Sequence, residues 1–212
     1  MVRAPRRCRR YAVAQPLAPP EVRQPPQGPT GLHRLVSRDP TLDRHAEAFH
    51  PGRALGRLSD LGWGQRLREV LREDAPASAE LLRAVVPVLA EWGWSERPVG
   101  VVGMPSRSHP TLVASLAAGL AEIGRLPLLG TLDLAHGGPT GEPGGNSAFR
   151  LAGVWDRLVV GTDLGVALAA HPGPVLLVDD LVSSRWTLTV ATRALRSAGA
   201  RAVLPLTLAV DG

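Results

Sequence analysis

Between residues 98 and 210, short apolar runs alternate with longer stretches in which apolar residues recur every three or four positions. VGVVGM (99–104), LPLLGTL (126–132), PVLLVDD (174–180) and AVLPLTLAV (202–210) have the continuous apolar form of strands buried on both faces. Between them, TLVASLAAGLAEIG (111–124) carries a stripe of Leu112, Leu116 and Leu120, with Ile123 nearby. WTLTVATRALRSAG (186–199) reads as a further helix ended by Gly199. Strands separated by helices of ten or more residues need right-handed crossovers. The pattern over residues 98–212 therefore predicts an α/β fold, a mainly parallel sheet with flanking helices. In this class, ligands bind outside the carboxyl ends of the strands.

Upstream, the pattern changes. From GRALGRLSDLGWGQRLREVL onward it reads as helical, with Leu67, Val70 and Leu71 at i, i+3, i+4, so residues 51–97 are expected to form a helical segment. A second helix is expected over SAELLRAVVPVLAEW, capped by Ser78, with Glu80 or Glu91 on its wet face and Pro87 kinking or dividing it. Trp63 lies between Gly62 and Gly64, where it suits a core position at the start of a helix better than a stacking platform. Residues 1–30 are rich in proline and arginine (PLAPP, RQPPQGP) and read as a disordered arm. HGGPTGEPGGNS (136–147) reads as a mobile loop.

Composition sharpens this picture in a few places. The chain of 212 residues has no lysine, so every one of its 24 basic side chains is an arginine, and a phosphate-binding loop of the GxxxxGK[ST] type is excluded. The net charge of +5 arises wholly in residues 1–50, which hold nine arginines and four acids, whereas residues 51–212 carry fifteen of each sign. The arginine-rich start could touch nucleic acid, DNA included, or an anionic surface by counterion release, but a disordered solvated tail is the preferred reading. Cys8 is the single cysteine and the six histidines are scattered, so no disulfide framework or metal-ligand spacing is expected. No apolar run approaches the 18 residues of a membrane span, and a cytoplasmic protein is expected.

The candidate chemistry is concentrated in VLLVDDLVSSRWTL (175–188). Asp179 and Asp180 stand at the end of a buried strand, where successive side chains can address two groups on one ligand. Ser183, Ser184, Arg185, Trp186 and Thr187 then open a helix, whose first turn offers unpaired backbone N–H groups and a dipole favouring an anion. Acids for sugar hydroxyls thus stand beside a cradle for phosphate. Simple helix capping by Asp and Ser is the competing reading.

This stretch resembles the ribose-phosphate signature of type I phosphoribosyltransferases. The resemblance, over about residues 98–210, implies that Asp179 and Asp180 face the ribose hydroxyls of phosphoribosyl pyrophosphate and that residues 183–187 hold the 5′-phosphate. It further implies that Ser106 and Arg107 in VGVVGMPSRS contact pyrophosphate, that residues 136–147 form a lid, and that Mg²⁺ takes part if transfer occurs. NSAFRLAGVWDRLVV is similar to the ComF-like branch of the family. Arg185 departs from the small residue usual in such loops, so it either clamps a phosphorylated ligand or fills the vacated site, and the second alternative implies loss of transferase chemistry. A narrower resemblance, carried by GRALGRLSDLGWGQRLRE, PVGVVGMPSR, GEPGGNSAFRLAGVWDR and LPLTLAVDG, is to the C-terminal region of actinobacterial RecQ-type DNA helicases. It implies a bacterial DNA repair or recombination setting and a helicase motor or DNA as partner, without motor activity in this chain. The expectation from both is a binding or regulatory module for a phosphorylated ribose, with an active Mg²⁺-dependent phosphoribosyltransferase as the alternative.

Overall fold

The computed structural model describes residues 52–136, 153–183 and 186–211. The proline- and arginine-rich arm, nearly all of the glycine-rich loop, Ser184 and Arg185 lie outside the described residues.

The four apolar runs form strands β2 (Gly100–Gly103), β3 (Leu128–Thr131), β6 (Pro174–Val182) and β7 (Ala202–Val210). A further strand, β1 (Arg53–Arg57), completes a five-stranded sheet of order β1-β7-β6-β2-β3, parallel at every pairing. Two-residue strands β4 (Asp133–Leu134) and β5 (Leu158–Val159) pair antiparallel beside it. The α/β class and the mainly parallel sheet read from the sequence are therefore what the chain adopts.

The 51–97 segment differs from its helical expectation at its start. RALGR forms a strand because its pairing is long-range: Arg53 lies opposite Leu206, and Arg57 opposite Val210. Ala54, Leu55 and Gly56 are buried between two arginines, a spacing too short to declare a period. Beyond it, α1 (Trp63–Val70) and α2 (Ala79–Ala90) are helical as expected. Ser78 caps α2, its Oγ accepting the Leu81 amide at 3.1 Å, and Pro87 sits inside a helix that remains one element. The two glycines around Trp63 have backbone causes. Gly62 has φ = 98°, and a Cβ on Gly64 would lie 2.7 Å from the Arg57 carbonyl oxygen and 2.8 Å from that of Leu58.

Helices cover both faces of the sheet. β6 shows why, since its side chains alternate: Leu176 and Val178 pack with α1, α2 and α3 (Pro110–Gly124). Val175 and Leu177 pack with α4 (Thr162–Ala170) and α5 (Trp186–Ser197). The direction of winding reverses at the middle of the sheet. From β2 the chain crosses through α3 to β3 on one side, and from β6 it crosses through α5 to β7 on the other. A right-handed crossover travelling in opposite directions must place its helix on opposite faces, as α3 and α5 are found. The crevice between the carboxyl ends of β2 and β6 is thus the reversal point where this fold class receives ligands.

Candidate functional site at the ends of β2 and β6

β6 reaches the crevice with a partner on one side only. Its pairing with β2 ends at Val178 opposite Gly103, and the Met104 amide closes that ladder on the Val178 carbonyl at 2.8 Å. Its pairing with β7 continues to Val182 opposite Val210. Asp179 and Asp180 therefore stand within a strand that runs two residues past them, rather than at its last position. Their side chains point to opposite faces of the sheet, and both residues are only 7% exposed.

Asp180 faces the α3 side and is heavily engaged. Its Oδ2 accepts the Ser106 hydroxyl at 3.2 Å and meets His109 Nδ1 at 2.5 Å, while its Oδ1 accepts the Leu181 amide at 2.9 Å. Ser106 Oγ in turn accepts the His109 amide at 3.0 Å. The other ring nitrogen, Nε2, donates to the Leu71 carbonyl at 3.1 Å, at the C-terminal end of α1. His109 occupies the N-cap position of α3 without capping it, and Pro110 has no amide to offer. The cap comes instead from Asp74, whose carboxylate accepts the Thr111 and Leu112 amides at 3.1 and 2.9 Å. Desolvation pushes the Asp74 carboxyl up, but the Leu112 amide and the other hydrogen bonds outweigh it and hold the group below its ordinary value.

Asp179 lies on the α5 side, and its Oδ1 accepts the Asp180 amide at 3.0 Å. Burial first, and the neighbouring Asp180 charge second, raise its carboxyl well above the usual carboxylate range. An acid whose folded value exceeds its unfolded value binds its proton more tightly in the native state, so stability falls as pH rises between the two values. Asp179→Asn is therefore expected to raise the melting temperature. The gain should be small near pH 4, about the unfolded value, grow as pH rises, and level off above the folded value. Melting curves across pH read it, at about 2–4 °C per kcal/mol for a chain of this size. A gain independent of pH would show that the carboxyl of Asp179 is not the cause.

The other expected residues are distributed around this centre. Ser106 joins the acid cluster directly, and Arg107 is exposed one residue further along the same loop. Ser183 is exposed just after β6, Trp186 opens α5 half-buried against the α4–α5 core, and Thr187 is half-buried in the first turn. The sequence reading missed His109, Asp74 and the Leu71 carbonyl. Only the position of His109, two residues after the expected Ser106–Arg107 pair, could have drawn attention to it.

Among the described residues no three His, Cys, Asp or Glu side chains are grouped to hold a metal ion. No described helix is long and apolar enough to cross a membrane. A cavity of about 320 Å³ lies at the opposite end of the sheet, against Pro174, Ala202, Leu204, Arg53, Trp92 and Trp94. It holds no clustered acids or histidines, and its one acid, Glu96, lies 3.5 Å from Arg201. The buried acid–histidine–serine cluster, not this cavity, occupies the place where the topology reverses.

These features define an open α/β protein with a polar crevice at its reversal point. No family model matches the sequence, and no curated protein matches it. Solved structures with a similar arrangement include adenine phosphoribosyltransferase from Leishmania tarentolae, at 14% identity and a TM-score of 0.39, covering 63% of this chain and 72% of that one. The enzyme of the same name from Leishmania donovani gives 12% identity and a TM-score of 0.41, covering 73% of this chain and 82% of that one. An HPRT with glutamine in place of an invariant aspartic acid gives 15% identity and a TM-score of 0.37, covering 69% and 68%.

Proposed function

We propose that this chain is a phosphoribosyltransferase-type protein whose crevice takes phosphoribosyl pyrophosphate, or another 5-phosphorylated ribose, as its ligand. The observation that carries the reading is the convergence of the acid-bearing strand β6 and the loop after β2 at the one point where the sheet reverses, bridged by Ser106 and Asp180 at 3.2 Å. In this reading Asp180 accepts a ribose hydroxyl. The 5′-phosphate is held by Ser183, Ser184, Arg185, Trp186 and Thr187 at the opening of α5, and pyrophosphate lies along Ser106 and Arg107. Mg²⁺ would come with the ligand, since the described residues offer no carboxylate cluster of their own for it, and would supply neutralisation of the pyrophosphate charge. Transfer breaks the bond between ribose C1 and pyrophosphate through an oxocarbenium-like state, and a nitrogen of the acceptor base forms the new bond to C1. The protein's share is positioning and charge stabilisation.

A second reading is a binding or regulatory module without turnover, allied to a RecQ-type helicase and to DNA. Arg185 favours the first part, because the sequence has an arginine at a position where close approach of backbone to phosphate wants a small residue. The helicase setting rests on the sequence segments alone. Calorimetric titration of phosphoribosyl pyrophosphate with Mg²⁺ into the wild type and Arg185→Gly separates the readings, combined with an assay for pyrophosphate release in the presence of nucleobases. Binding with release supports the transferase, and binding without release supports the module. Tight binding only in the glycine variant identifies Arg185 as a plug. Absence of binding in both proteins would sink the phosphoribose reading.

A further inference from the structure

His109 is held at both ring nitrogens, one on β6 through Asp180 and one on the end of α1 through Leu71. The Leu71 carbonyl can only accept, so Nε2 carries a hydrogen. The Nδ1–Oδ2 contact then needs a proton of its own between the two atoms, whichever of them formally bears it. The Leu71 carbonyl belongs to the last turn of a helix, where carbonyls lack intrahelical partners, so the contact also satisfies α1. Turning the ring out would leave both the carbonyl and the carboxylate without that partner, and the side chain is only 12% exposed. Such a ring holds its neighbours in place and does not serve as a gate.

We propose that His109 is the positioning residue of the acid pair. With Ser106 it occupies both acceptor sites of Asp180 Oδ2 and so fixes the rotation of that carboxylate. The Leu181 amide takes one site of Oδ1 and, among the described residues, leaves the other for a ligand hydroxyl. The pair then offers a ligand one open acceptor, from Asp180, while Asp179 points to the other face. The identity of that ligand rests on the phosphoribose reading; the role of His109 in orienting Asp180 does not.

The test uses the full chain, with His109→Gln, His109→Ala and Asp180→Asn. Nitrogen-15 NMR of the imidazoles should show a proton resonance assigned to His109 Nδ1 that shifts or vanishes in Asp180→Asn, with Nε2–H retained. Titration with phosphoribosyl pyrophosphate and Mg²⁺ should show an affinity loss of about tenfold in His109→Ala, the scale of one hydrogen bond to a charged group. His109→Gln, which can still donate to Asp180, should recover most of it. Circular dichroism confirms that each variant is folded. An Nδ1 signal indifferent to Asp180→Asn, or His109→Ala binding as tightly as wild type, overturns the proposal. If the wild type binds no phosphoribosyl pyrophosphate, the ligand reading fails while the NMR comparison still decides the role of His109.

Discussion

Asp180→Asn is expected to weaken binding of phosphoribosyl pyrophosphate by about 10- to 100-fold, the range set by losing a charge-assisted hydrogen bond of about 1.5–3 kcal/mol. Titration calorimetry with Mg²⁺ measures it. The substitution conserves shape, so the loss would come from charge and from acceptor capacity. Asparagine can place its carbonyl oxygen toward Ser106 and His109 or toward the open side, but it cannot serve all the partners that the carboxylate serves. Unchanged affinity in Asp180→Asn would remove Asp180 from the ligand's contacts and the present functional reading with it.

The largest stability effect is expected from Leu177→Ala. Leu177 is fully buried in β6, one of the two strands bordering the reversal point, and packs on the face covered by α4 and α5. Its truncation removes apolar contacts and leaves a cavity that a sheet paired on both sides of Leu177 can hardly close. The expected cost is about 2–5 kcal/mol, a large part of the roughly 5–15 kcal/mol available to a native domain. Urea unfolding monitored by circular dichroism reads it from the midpoint. Val166→Ala, at a residue 65% exposed, is the control and should change stability by less than about 0.5 kcal/mol. Equal effects at the two positions would contradict the described packing of β6.

What the sequence reveals here is what depends on near neighbours. The strands β2, β6 and β7 are continuous apolar runs because both of their faces are covered, and that signal survives without knowledge of partners. Ser78 and Gly199 mark helix ends by chemistry local to the backbone: Ser78 accepts an amide three residues on, and Gly199 adopts φ = 110° after α5. Strand β1 escapes notice because only its pairing with β7 distinguishes RALGR from the helical pattern that follows. The site divides in the same way. Two adjacent acids behind an apolar strand are visible in the sequence. His109 is not, since its meaning depends on Asp180, 71 residues away, and on a backbone carbonyl that carries no sequence identity at all. Asp74 is hidden for the same reason, capping a helix that begins well after it.

The pairing of β1 with β7 has a consequence for synthesis. Arg53–Arg57 are translated long before Ala202–Val210, the strand that receives them. Until then β1 has no berth beside β7, and β6 is exposed along the side that β7 will cover. Completion of the sheet therefore waits for Ala202–Val210, and a nascent chain stalled before Ala202 would leave β1 and one edge of β6 unpaired.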